Sequence, residues 1–141
     1  MNWQHKDEWR TSGAGFSVVV SRHSVVFPEP RPSFCSDLEG PNRWCVYAYI
    51  FPKHPQYAKF EGTAIDQDAA KLDMHGGCTY LRRHFNEDGK ETSIQVGADY
   101  NHYGDSEYTR METQEDAHSV FNDAQDLFDK LANMAKQGAT T

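Results

Sequence analysis

The chain is poor in cysteine, in long apolar runs and in positive charge. Cys35, Cys45 and Cys78 are its three cysteines. They form no CxxC pair, which argues against a zinc ribbon, and a reducing compartment is their simplest setting. The longest apolar run, WCVYAYIF at residues 44–51, is far short of the roughly 20 residues that span a membrane, so no membrane partner is expected. The first residues, MNWQHKDEWR, lack the apolar stretch of a signal peptide. A soluble, cytoplasmic protein is the expectation. Fourteen Lys and Arg against 21 Asp and Glu give a net charge of −7. Such a surface repels phosphate, so direct nucleic-acid binding is not expected, whereas a basic protein surface suits it. Plain solubility explains the same charge. There is no GxGxxG, no P-loop, no HExxH, no EF-hand loop and no GxSxG elbow. No metal site and no cofactor is therefore assigned from motifs.

What is present suffices for one domain over residues 1–141. A chain this long buries about 68–70% of its unfolded surface without staples. Mean hydropathy is −0.80, which predicts a small core under a polar shell. Aromatic residues at 13% speak against disorder.

Residues 1–15 carry Trp3, Trp9 and Arg10, then TSGAG, and read as an N-terminal arm docked by its tryptophans. FSVVVSRHSVVF, 16–27, is β-branched and predicts the first strand. Residues 28–42 hold four of the six prolines and predict a loop. RWCVYAYIF, 43–51, predicts a central strand, because Trp44, Val46, Ala48 and Ile50 on one face and Cys45, Tyr47, Tyr49 and Phe51 on the other are all apolar or aromatic. Such a strand is expected to be covered on both sides. Ile65, Ala69 and Leu72 give a thin helical stripe within an insertion at 56–74. CTYLRRHF, 78–85, and ETSIQVGADY, 91–100, predict a hairpin turned at NEDGK. The second of these strands alternates cleanly, with one wet face. Residues 113–135 predict the long C-terminal helix. Thr113 and Asp116 form a capping box, and Ala117, Val120, Phe121, Ala124, Leu127, Phe128, Leu131 and Met134 make one apolar face. The sum is α+β: a mostly antiparallel sheet of about four strands, a helical insertion after the second, and a long amphipathic helix on one face.

Several groups carry chemistry, each with a plainer explanation beside it. GADYNHYGDSEY, 97–108, gathers Asp99, His102, Asp105 and Glu107. Histidine with carboxylates binds metal or transfers protons near neutral pH; the polar exit of a strand uses the same residues for its turn. HGGCTYLRRH, 75–84, offers Gly76 and Gly77 to an anion beside Arg82 and Arg83, and Cys78 with His75 or His84 as nucleophile and base. A helix stop before a strand explains the glycines equally well. Ser21, His23 and Ser24 lie in SRHS without an elbow. Trp3, Trp9 and Arg10 are residue types of binding hot spots, though terminal tryptophans also seal sheet edges. Asp116, Asp123, Asp126 and Asp129 form an acidic helix face that steers toward basic surfaces or is simply solvated.

The strings DEWRTSGAGFSVVVSRHSV, GPNRWCVYAYIFPKHP, MHGG, VGADYNHYGD and EDAHSVFNDAQDLFDKL resemble a group of small uncharacterised proteins encoded by phages and prophages. The resemblance spans about residues 2–133 and brings no activity and no catalytic residues. It implies a setting: an accessory protein of a bacterial cytoplasm that binds and blocks a host protein, including defence machinery. The leading expectation is accordingly a non-enzymatic binder of a host protein through Trp3, Trp9, Arg10, Asp123, Asp126 and Asp129. The alternative is a small metal-dependent or His/Asp hydrolase using Asp99, His102 and Asp105. It overtakes the first if His75, His84 and His102 converge with Asp99. A structural homo-oligomer, such as a dimer paired through strand edges or through the aromatic face of the strand at 43–51, is the third reading.

Overall fold

The computed structural model describes residues 2–27, 39–60, 74–102 and 104–139, with 30, 62 and 72, and only the backbone of 2–6 and of 138–139. The fold is α+β. Five antiparallel strands form an open sheet in the order β1-β2-β3-β5-β4. These are β1 (Asn2–Gly13), β2 (Phe16–Val26), β3 (Asn42–Ile50), β4 (Tyr80–Phe85) and β5 (Glu91–Asp99), followed by the helix α1 (His118–Ala139).

The fifth strand is β1, the segment read from sequence as an arm. Its register sets Asp7 opposite Arg22, Trp9 opposite Val20 and Thr11 opposite Val18. Of these three, only Trp9 is large and apolar, so the alternation that marks a half-buried strand is too faint to see. Charged residues along an outer strand also discourage edge-to-edge pairing. A two-residue turn at Ala14 and Gly15 joins β1 to β2. Gly15 has φ +83°, and a Cβ there would lie 2.8 Å from the His54 Cα.

β3 is the middle strand, as its composition requires. Trp44, Val46, Ala48 and Ile50 face α1 and are buried, together with Ile94, Val96 and Ala98 of β5. The expected cover on both sides is a point of difference. Tyr47 and Tyr49, on the opposite face, are only half-buried. They are shielded by neighbouring side chains: the Tyr47 ring lies against Gly97, and Arg10 sits 5.1 Å over the Tyr49 ring.

The helix buries Ala117, Val120, Ala124, Leu127, Leu131 and Met134, one stripe at spacings of three and four. It starts at His118, five residues after the start expected at Thr113, and ends at Ala139 rather than 135, so the reciprocal bonds expected of a capping box close the turn that leads into the helix. The Asp116 N–H donates to Thr113 Oγ1 at 3.0 Å, and the Thr113 N–H donates to Asp116 Oδ2 at 3.3 Å. The N–H groups of Thr113 and, after it, Glu112 donate to the Asp116 carboxylate and hold it below its ordinary value. Trp9 stacks on Trp44 at 5.7 Å and meets Phe121 edge-on at 5.1 Å, pinning β1 to sheet and helix. Of the helical insertion expected at 56–74, Tyr57–Phe60 form one 3-10 turn; residues 61, 63–71 and 73 lie outside the described residues, as do Cys35 and Tyr103.

Candidate metal centre

β5 ends at Asp99, and the chain turns at once. Asp99 Oδ1 accepts the Asn101 N–H at 3.0 Å, and Asp105 Oδ2 accepts the His102 N–H at 2.9 Å. Gly104, at φ +93°, lets the loop close on itself. Asp and Asn thus shape the turn, as the plain reading held. The turn also aims Asp105 inward, where it is 8% exposed.

The second part of the site comes from 30 residues earlier. Met74 O accepts the Gly77 N–H at 2.9 Å, making a tight turn before β4. His75 at its head stacks on Tyr100, with ring centroids 4.2 Å apart and planes 15° apart, and meets Tyr108 edge-on at 5.3 Å. Tyr100 is fixed from below by the helix, because its hydroxyl donates to Asp123 Oδ2 at 2.6 Å. Burial and then the Asp123 carboxylate push the Tyr100 phenol far above its ordinary range, so it remains a neutral donor.

Held so, His75 Nε2 lies 3.0 Å from both Asp105 oxygens. His102 Nδ1 lies 3.3 Å from Asp105 Oδ2, and His102 Nε2 lies 3.6 Å from Asp99 Oδ1. Burial raises the Asp105 pKa, but the His102 N–H and the two imidazoles outweigh it, and the carboxyl sits below its ordinary value. His75, His102 and Asp105 each offer a ligand atom within 4.8 Å of the others'. Two imidazoles and a carboxylate suit zinc or a similar divalent metal and leave coordination positions free for water or substrate. Without a metal, the same atoms make a carboxylate that orients two imidazoles for proton transfer. Gly76 is built to this cluster: at φ +67°, a Cβ on it would lie 2.8 Å from the His102 ring.

Comparison with family models, with curated proteins and with solved structures finds no match to this chain.

The other sequence candidates lie elsewhere. His84 is on the far face of the sheet, its Nε2 2.8 Å from Gln95 Oε1, so the third histidine does not join. Glu107 is exposed at the start of the 3-10 turn Tyr108–Arg110. The Cys78 thiol is buried and donates to Tyr80 O at 3.4 Å. The N–H of Gly77 is taken by Met74, and Arg83 is paired to Glu91 at 2.9 Å, so neither serves an anion at the glycines. Ser21 is buried in β2. Trp9 is packed within the fold, Asp123 holds Tyr100, and Asp129 accepts from Gln125 at 3.0 Å. Arg10 and Asp126 are exposed. The Trp3 side chain lies outside the described residues, while its backbone pairs opposite Val25.

What sequence reasoning lacked was the partner of the loop. His75 was visible as a histidine before two glycines, but nothing in the spacing ties it to Asp105.

Proposed function

We propose that the protein is a small metal-dependent hydrolase whose metal is held by His75, His102 and Asp105. The observation that carries this reading is the convergence of His75, from the turn before β4, on both oxygens of Asp105. A structural turn needs Asp105 but has no use for His75 on it. A bound divalent ion would supply Lewis acidity and a water of lowered pKa. The chain's own residues do the rest. Asp105 balances charge and orients both imidazoles. Asp99, whose side chain is 46% exposed beside His102, is the carboxylate outside the three ligands that would accept the proton of the attacking water. In the hydrolysis, the water oxygen bonds to the electrophilic carbon or phosphorus and the bond to the leaving group breaks. The proton parked on Asp99 passes to the leaving group.

In the host-binding reading, Trp9 would serve from within the fold, where it packs on Trp44, while Arg10, Asp123, Asp126 and Asp129 are exposed.

The test is calorimetric titration of chelator-treated protein with zinc and with manganese, followed by ester and phosphoester substrates. One ion per chain, lost in His75→Ala and His102→Ala, is the expected result. Because imidazoles must be neutral and carboxylates ionised to bind, affinity should fall as the pH is lowered. A protein that takes up neither metal has no metal-dependent activity, and the proposal fails.

A further inference from the structure

The face of the sheet turned away from α1 has an unusual order. Register aligns Arg10, Val19, Tyr47, Gly97 and Tyr80 in one row across all five strands. The next row carries Tyr49 and Arg82, both opposite Gln95. The row on the other side carries Glu8, Cys45 and Asp99. Gly97 makes room for an aromatic ring laid on the sheet: a Cβ there would lie 2.3 Å from Tyr47 Cδ1. Tyr80 stands edge-on to Tyr47 at 5.5 Å and is 36% exposed. The Arg10 guanidinium lies over Tyr49, and Arg10 and Arg82 are exposed on either side of the tyrosines.

Charge is segregated in the same way. The acid of α1, Asp126 and Asp129, is exposed on the opposite layer of the molecule. On the tyrosine rows, the exposed charges are the two arginines. Glu8 and Asp99 share a single row beside the tyrosines, and Asp99 reaches His102. Tyr47 and Asp99 line one cavity of about 360 Å³, shared with His23, Arg43, Cys45 and Asn101. The net charge of −7 therefore does not describe this surface.

We infer that single-stranded nucleic acid is the substrate class of the candidate centre, with its bases stacked on Tyr47 and Tyr80 and its phosphates on Arg82 and on Arg10, whose guanidinium already covers Tyr49. As an assignment of substrate, this rests on the hydrolase reading; as a binding face, it stands on the tyrosines and arginines alone. Aromatic side chains hold bases of any sequence through their π faces, and cationic side chains track the backbone. Asp99 stands in the row next to Tyr47 and shares its cavity, so the backbone of a strand stacked on the tyrosines has a phosphodiester within reach of the Asp99 side of the His/Asp cluster. A duplex, whose bases are already stacked, has nothing to offer these rings.

The test is fluorescence anisotropy of labelled dT15 and U15 oligonucleotides and of a duplex of equal length, in chelator so that no metal contributes. The single strands should bind and the duplex should bind at least tenfold more weakly. Tyr80→Ala should weaken single-strand binding by about tenfold, with rescue by Tyr80→Trp. Arg82→Ala should reduce the slope of log K against log salt by about 0.7. Tyr80 is at the sheet edge and exposed, so its variants test the face without risking the core. His102→Ala should leave oligonucleotide binding unchanged and abolish zinc uptake. Absence of binding, no preference for single strands, or binding indifferent to Tyr80→Ala would overturn the inference. A dimer in light scattering that Tyr80→Ala dissolves would overturn it too, by giving the face to a second copy. Zinc uptake without oligonucleotide binding would sink the substrate class alone, and binding without zinc uptake would sink the hydrolase reading alone.

Discussion

Single residues set the centre, and one of them, Gly76, acts through backbone and burial rather than through chemistry. Gly76 can be only glycine, since its φ is positive and its missing Cβ is where the His102 ring sits. Gly76→Ala should cost roughly 1–3 kcal/mol of stability and displace His102. Zinc titration beside thermal unfolding would show affinity falling together with Tm, whereas Gly89→Ala, at a hairpin with open space, would lower Tm alone. His54 is the structural counterpart of the site histidines. Its Nδ1 accepts the Gln56 N–H at 3.1 Å, so Nε2 carries the proton it donates to Leu131 O, also at 3.1 Å. It is buried between Phe16 and Phe60. His54→Phe should destabilise by roughly 1–3 kcal/mol for each polar group left unpaired, with no effect on zinc. These two histidine roles, core tie and ligand, look alike in a sequence; only their neighbours separate them.

Among elements, the helix was the most legible. Its apolar period and its acidic outer face appear in the chain as written; Thr113 and Asp116 do bond reciprocally, but in the turn before His118 rather than as the cap of the helix. Thr113→Val, which removes a bond of the turn leading into the helix, should cost about 1 kcal/mol and lower Tm by a few degrees; an unchanged Tm would mean that the buried Ala117 and Val120 hold this turn in place. β2, β3, β4 and β5 lie within two residues of where their composition puts them. β1 was missed because its side chains are polar on both faces apart from the tryptophans, and an outer strand borrows its order from β2 rather than from its own pattern. The glycines of the 75–77 turn were read as a helix stop. They do serve a turn, but that turn also presents His75.

For the whole molecule, the centre joins segments that are far apart: the turn before β4, the loop after β5 and, through Tyr100 and Asp123, the helix. A ligand bound only by the folded form stabilises it by about 2.7 kcal/mol at 100 times its Kd. Zinc at that excess should therefore raise Tm by several degrees in the native chain and leave His75→Ala unmoved. Acid should act on the same joint. The Asp105 carboxyl is depressed in the folded state, so its contribution is complete above the ordinary aspartate value of about 3.9 and is lost as pH falls through the lowered one. Chemical denaturation in chelator between pH 6 and pH 3 should show a steeper loss for the native chain than for Asp105→Asn. Equal slopes would mean that the carboxylate is not coupled to folding.

Local pattern alone determined the α+β class, the central place of β3, the hairpin at NEDGK and the helix, because each depends on periods of two or of 3.6 residues and on turn chemistry within a few positions. It also supplied the residue types of the centre, Asp99, His102 and Asp105, in one loop. Tertiary structure decided which histidine joins them. His75 and His84 are equally plausible in sequence, but β4 is a strand. The turn before it opens toward the end of β5, while His84 alternates to the far face. The same pairing decided the tyrosine rows, since cross-strand register, set between residues up to 54 positions apart such as Cys45 and Asp99 in β3 and β5, is invisible to any local period.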